Sequence, residues 1–370
     1  MKKIFFIITS VLIFFNSCST LRTSNSEFSL GAGVNLSHWL SQNFTGFEGP
    51  KRYEAMTSAD FKAISNNGFD HVRIPIDEQE MWTEDGKPID YTFGLLDDAI
   101  KWSLKNNLKV VVDLHIIRSH HFDEQKSNTL WTDENSQIRF ISMWKDLSSH
   151  LKKYSTTKVA YEFMNEPVAP DPEDWNKLID KVIKEIRPLE PQRKFIIGAN
   201  MWQSVDQFKN LKVPANDKNL ILSFHFYEPF MLTHYKASWN KAMQVDKTVH
   251  YPGKIFVEEV SDDETNQTVK DWRDKSFDKE SLFKRVNLAL QRAKELDLPL
   301  YCGEFGCIFP QVDKDSRNHW FYDVCSIFRE NNIGYTVWDY KGGFKLFNPD
   351  RTPQDEELVD IVVNSNRKSH

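Results

Sequence analysis

Short apolar runs recur along the chain, each bounded by polar or turn-forming residues. Eight of them read as strands: 29–36 (SLGAGVNL), 69–76 (FDHVRIPI), 109–115 (KVVVDLH), 158–165 (KVAYEFMN), 194–200 (KFIIGAN), 220–227 (LILSFHFY), 299–305 (PLYCGEF) and 334–340 (GYTVWDY). They are rich in β-branched and aromatic residues and nearly continuous in hydrophobicity, the pattern of parallel strands buried on both faces. Between them the apolar positions change to helical spacing, over 93–106, 136–153, 173–187 opened by Pro172, 279–296, and 317–331 before Gly334. Strand–helix alternation through eight strands predicts an α/β protein of the (β/α)8 barrel class, with one catalytic domain over 28–370. A dinucleotide-binding sheet would need a glycine-rich turn leading into a helix. Gly31-Ala32-Gly33 lies inside the first run instead, with no helix directly after it.

Composition narrows this picture in three ways. The 40% hydrophobic content supports a large core, and 370 residues would otherwise have allowed two domains. A balance of 47 basic against 53 acidic side chains leaves a net charge of −6, which gives no electrostatic case for nucleic acid. Four cysteines are too few for a disulfide scaffold, and Cys302, Cys307 and Cys325 lie in apolar contexts that suit buried thiols.

The first residues read as an address. Lys2 and Lys3 precede an apolar stretch from Ile4 to Phe15 that is too short to be retained across a bilayer. Residues 1–17 are therefore expected to be a signal peptide. Ser17-Cys18 resembles a bacterial lipoprotein cleavage site, with Cys18 as the lipidated residue and 18–27 as a flexible tether. The expectation is an exported monomer of the bacterial cell envelope, or otherwise a periplasmic or secreted one, touching membrane only through Cys18.

Chemistry concentrates at the strand ends, where barrel enzymes keep their active sites. The ends carry Asn35 and His38, Arg73, His115, Asn165-Glu166, Trp202, His225 and Tyr227, Glu304, and Trp338. The starts are plain by comparison: Phe28, Val110, Val159, Phe195 and Leu220. Two carboxylates stand out, because Glu166 follows YEFM and Glu304 follows LYC. A carboxylate on a buried strand costs several kcal/mol unless it is partnered or raised in pKa. Paired carboxyl groups with opposed pKa values are the equipment of glycosidic bond hydrolysis.

These residues resemble glycoside hydrolase family 5, the cellulase family, across 28–345. The family's arginine matches Arg73 in HVRIPI and its strand-three histidine matches His115 in VVDLH. Its Asn-Glu-Pro signature is Asn165-Glu166-Pro167, its His-x-Tyr is His225-Phe226-Tyr227, its second glutamate is Glu304 in GEFG, and its last tryptophan is Trp338 in TVWDY. The resemblance implies a retaining β-glycosidase without cofactor or metal, Glu166 serving as acid/base and Glu304 as nucleophile. It also implies that His225 partners Glu166 and that Arg73 and Tyr227 keep Glu304 ionised. Asn165 would donate to the sugar 2-hydroxyl, His115 would orient hydroxyls, and Trp338 would floor the sugar. Glu162, four residues before Glu166 and on the same face by strand alternation, resembles a residue that braces Arg73.

The implied substrate is a polysaccharide, β-1,4-glucan such as cellulose. β-Mannan and β-1,3 or mixed-linkage glucan are alternatives on the same machinery, and an inactive glycan-binding protein is the alternative of a different class. Trp39, Trp82, Trp131, Trp202 and Trp239 fall near loops after strands and are read either as cleft platforms or as packing, with Trp202 foremost. Trp102, Trp144 and Trp175 fall in helical patterns and read as core. Asp113, His115, His120 and His121 lack the HxH on the first strand that a metal-dependent barrel hydrolase would want. Residues 230–278, with Tyr235, Trp239, Tyr251, Trp272 and acidic SDDE at 261–264, are expected to form a cleft wall whose charged part is solvated.

Overall fold

The computed structural model describes residues 28–43, 46 and 49–364. The expected leader over 1–17, the expected lipidation at Cys18 and the tether to residue 27 lie outside the described residues, as do 365–370. Eight parallel strands close into a barrel in chain order: β1 (Ala32–Asn35), β2 (His71–Asp77), β3 (Lys109–Ile116), β4 (Val159–Glu162), β5 (Phe195–Gly198), β6 (Leu220–Phe226), β7 (Leu300–Phe305) and β8 (Gly334–Val337). Helices cover the outside, among them Asp90–Lys105, Glu134–Leu151, Pro172–Ile186, Lys279–Leu296 and Lys314–Glu330. These five lie within about three residues of the bounds the apolar spacing predicts.

Period-two alternation divides each strand between two environments. Val110, Val112, Tyr161, Phe195, Ile197, Leu220 and Leu222 point outward and join the core beneath the helices. Val111, Ala160, Ile196, Ile221 and Tyr301 point inward and, with Phe28, make an apolar floor at the N-terminal end of the barrel. One step higher the inward positions become polar: Asp113 above Val111, Glu162 above Ala160, Ser223 above Ile221. The interior is thus an apolar plug carrying a polar network, with each fully buried Val or Ile in the plug contributing roughly 1.5–3 kcal/mol.

Several expected strands end early. The run 158–165 stays in the sheet only to Glu162, four residues before the left-handed Glu166 at φ +44. The runs 194–200 and 334–340 likewise stop at Gly198 and Val337. Among the helices with no sequence-based prediction are Ser58–Asn66 and Glu356–Asn364. The first buries only Asp60, Phe61 and Ile64 and is held at its start by Thr57, whose backbone N–H donates to the Asp60 carboxylate at 2.9 Å.

The stretch 230–278 holds short helices and a two-stranded ribbon, Gly253–Lys254 with Ser276–Phe277. It is only partly the aromatic wall expected of it. Tyr235 and Tyr251 are buried, with their hydroxyls donated to Lys247 O and Asp323 Oδ2, and Trp272 packs on Phe277. Trp239 alone of the four is exposed, at 62%. The acidic residues Asp262 and Asp263 are solvated. Cys302, Cys307 and Cys325 are buried free thiols.

Candidate active site

Glu304 faces the cleft because β7 carries one extra residue. Phe224 pairs with Cys302 but His225 pairs with Glu304, and β8 shows the same shift between Tyr335 and Val337. Gly303 is the surplus residue, and were it paired in regular alternation Glu304 would turn toward the helices. The bulge is held open by Asn35, whose Nδ2 donates to Gly303 O at 3.1 Å and to Val337 O at 3.3 Å. Its Oδ1 accepts from Arg73 Nη1 at 2.9 Å.

Arg73 is completely buried and organises the centre. Its Nε donates to Glu162 Oε2 at 2.7 Å, Nη1 to Glu304 Oε1 at 2.8 Å, and Nη2 to Asn165 Oδ1 at 2.8 Å and Asp113 Oδ2 at 3.0 Å. Burial alone would lower its pKa, but Asp113, Glu162 and Glu304 outweigh that and hold it above its ordinary value. One guanidinium cannot balance all the acids around it, so protons are retained. Burial pushes Asp113 and Glu162 each up to about 7.

The two glutamates differ in what they receive. Glu304 Oε1 accepts from Arg73, and Oε2 accepts from the Tyr227 hydroxyl at 3.0 Å. Burial raises its pKa, while Arg73, His115 and that hydroxyl pull it back. Glu166 has no such cation: burial and the charge of Glu304 drive it well above the carboxylate range. Its Oε1 lies 2.8 Å from Nδ1 of His225, a histidine that burial holds neutral. The protonated Glu166 carboxyl therefore donates to His225, and when Glu166 ionises the imidazole can donate in return. Ligand atoms of Glu166, His225 and Glu304 lie within 4.8 Å of one another. Because both Glu304 oxygens already accept from Arg73 and Tyr227, the trio is arranged to hold a proton rather than to cage a cation.

A ring platform completes the centre. Trp338 stacks on His115 with centroids 5.6 Å apart and planes 7° from parallel, and His38 meets its edge at 6.2 Å. His115 donates Nδ1–H to Asp113 at 2.7 Å, and burial lowers it to about 3, so it is neutral with Nε2 as an acceptor. The loop after β8 reaches the centre because Gly306 has no Cβ, which would lie 2.2 Å from Trp338 O.

The expected loop tryptophans separate cleanly. Trp39, Trp82 and Trp131 are buried and serve packing, each too tightly enclosed to meet a ligand. Trp144 and Trp175 are core, and Trp102 packs half-buried on Phe61. Trp202 is 42% exposed, but it does not end a strand. It lies four residues past β5 in a left-handed turn, Met201, Trp202 and Gln203 having φ of +49, +58 and +53. Non-glycine residues there cost roughly 1–2 kcal/mol each, so the surroundings must impose the turn. Trp202 is braced by Nε1 donating to Phe122 O at 3.1 Å. On the other side of Glu304, Tyr227, Phe344 and Trp239 follow one another with centroids 6.0 and 6.2 Å apart.

Four supporting side chains received no role from the sequence: Asn35, Asp113, Gln203 and Ser223. Asp113 was within reach of it, since strand alternation puts Asp113 on the face of His115. Gln203 had no local signal, because its direction depends on the left-handed turn.

Known proteins fit this geometry. A family model described as cellulase (glycosyl hydrolase family 5) matches residues 31–343. Endoglucanase C of Acetivibrio thermocellus is 36% identical over 343 residues, which are 90% of this chain and 98% of that one. A mutant form of Thermotoga maritima Cel5A in complex with cellobiose superposes with a TM-score of 0.73 at 26% identity, over 90% of this chain and 97% of that one. The mannotriose complex of Cel5A gives 0.72 at 26% identity, over the same shares. With the family model spanning nearly the whole barrel, and over a third of positions shared with a relative along almost its full length, the chain belongs to the cellulase family, glycosyl hydrolase family 5.

Proposed function

We propose that the chain is a retaining endo-β-1,4-glucanase with Glu166 as acid/base and Glu304 as nucleophile. The carrying observation is two carboxyl groups of unequal proton affinity whose oxygens lie within 4.8 Å, both beside His225. Retaining enzymes hold such groups ~5–5.5 Å apart, whereas inverting ones leave ~6.5–9.5 Å for a water.

Glu304 attacks the anomeric carbon while Glu166 passes its proton to the departing glycosidic oxygen. A glycosyl ester on Glu304 and a free sugar hydroxyl result. Glu166, now ionised, takes a proton from water, whose oxygen attacks the same carbon and displaces Glu304, so Glu166 ends protonated and the anomer is retained. Arg73 donates only, so it fixes Asn165 Oδ1 toward itself and leaves Nδ2 to donate to the sugar 2-hydroxyl. Trp338 carries the C–H face of that sugar, and His115 Nε2 accepts from one of its hydroxyls.

The substrate follows the relatives named endoglucanase, and Cel5A's mannotriose complex makes β-mannan the second reading. Reducing-end release should be greatest on carboxymethyl cellulose, with viscosity falling faster than ends appear. Products should emerge as the β-anomer by NMR. First release of the α-anomer would sink the retaining mechanism, and inertness on every β-glucan and β-mannan would favour a glycan-binding protein.

Trp239 and Trp202 are proposed platforms for sugars beyond the centre. Trp239→Ala should raise KM for cellohexaose about 3–10-fold, tenfold being about 1.4 kcal/mol, and leave aryl cellobioside kinetics unchanged. Equal effects on both substrates would remove Trp239 from the cleft.

Export through residues 1–17 and lipidation at Cys18 belong to the same reading, supported by the charged start, the short apolar run and the cysteine after Ser17. In a bacterial host Cys18→Ser should move the enzyme from the membrane fraction to the soluble one. An unchanged distribution would refute the anchor.

A further inference from the structure

Gln203 lies outside every motif that marks this site, yet it is fully buried and all its polar atoms are engaged. Its Oε1 accepts the backbone N–H of Glu166 at 3.0 Å. Its Nε2 donates to Ser223 Oγ at 2.8 Å and to Glu162 Oε1 at 3.3 Å. The amide can be placed only this way round, because the backbone N–H of Glu166 has nothing to accept with. The side chain enters the barrel over Gly198, where any Cβ would lie 2.3 Å from Gln203 Cγ. Both ends of the contact are unusual backbone, Gln203 at φ +53 and Glu166 at φ +44.

Two left-handed residues joined by one hydrogen bond constrain each other. Through Glu162, whose second oxygen accepts from Arg73, the amide also joins the backbone of Glu166 to the guanidinium that holds Glu304. We propose that Gln203 is a positioning residue for Glu166, locking its left-handed backbone so that the carboxyl meets the leaving-group oxygen. This rests on Glu166 being the acid/base.

The test is kcat/KM, which reports glycosyl transfer to the enzyme, over aryl β-cellobiosides of graded leaving-group pKa. Gln203→Met keeps length and burial but has no acceptor for the Glu166 N–H. It should lose about 10–100-fold on a poor leaving group such as phenol, the range typical of supporting shells, and less than about threefold on dinitrophenol, which departs without a proton. Ser223→Ala, which frees the far end of the amide without touching the turn, should show the same leaving-group bias more weakly. Losses equal across leaving groups in Gln203→Met, or in Ser223→Ala if the first variant does not fold, would overturn the proposal. Glu166→Ala run in parallel separates the two ideas: if it too lacks leaving-group dependence, the acid/base assignment has failed.

Discussion

Glu304→Gln should lower kcat on cello-oligosaccharides by on the order of 10⁵-fold or more, since the glycosyl ester proposed for this site needs the carboxylate at 304 and an amide there cannot form it. The fold should survive. The amide oxygen can still accept from Arg73, and the Tyr227 hydroxyl can accept from the new amide instead of donating. Removing one buried anion also relieves the crowding of acids around Arg73, which keeps Asp113 and Glu162 as partners. A 2-deoxy-2-fluoro aryl cellobioside should trap the wild type as a covalent adduct on the peptide holding Glu304, and leave the variant's mass unchanged. An adduct on another peptide, or turnover surviving in the variant, would end the nucleophile assignment.

Glu166→Ala should lose roughly 10²–10⁴-fold in kcat/KM on substrates with poor leaving groups and little on dinitrophenyl cellobioside. Azide should restore its turnover. Azide attacks the anomeric carbon of the ester, Glu304 departs as carboxylate, and a β-glycosyl azide forms without a general base. Absence of that product would contradict the role. The raised proton affinity of Glu166 has a further effect, on stability. Its folded pKa lies above its unfolded value, so unfolding releases a proton between the two. Stability then falls as pH rises above about 4.3, with a slope of about 1.4 kcal/mol per pH unit for one proton, until the folded pKa is passed. Glu166→Gln should therefore melt higher than wild type at neutral pH and at about the same temperature near pH 4. A variant that melts lower at neutral pH would contradict this sign.

The barrel was readable because its strands are buried on both faces and so are continuous apolar runs, as in KVVVDLH and LILSFHFY. The inward polar residues were readable where alternation is unbroken, as from Ala160 to Glu162 and from Val111 through Asp113 to His115. Two kinds of feature resisted. The direction of Gln203 is set by three left-handed residues that no propensity favours, and only the packed site makes them stable. Trp39, Trp82 and Trp131 stand in loops like Trp202 and Trp239, and burial alone distinguishes them. The stretch 230–278 read as a wall of aromatics because its sequence does not reveal that Tyr235 and Tyr251 serve its own packing.

The surplus Gly303 makes β7 unusually tolerant of losing a residue. Inside a regular strand a one-residue deletion turns every later side chain to the opposite face. Loss of Gly303 would instead remove the bulge and leave Cys302 opposite Phe224 and Glu304 opposite His225, with the carboxylate still inside the barrel. Deletion scanning of the strands should accordingly find activity retained at Gly303, where only the hydrogen bond from Asn35 to its carbonyl is given up, and lost inside the unbulged strands.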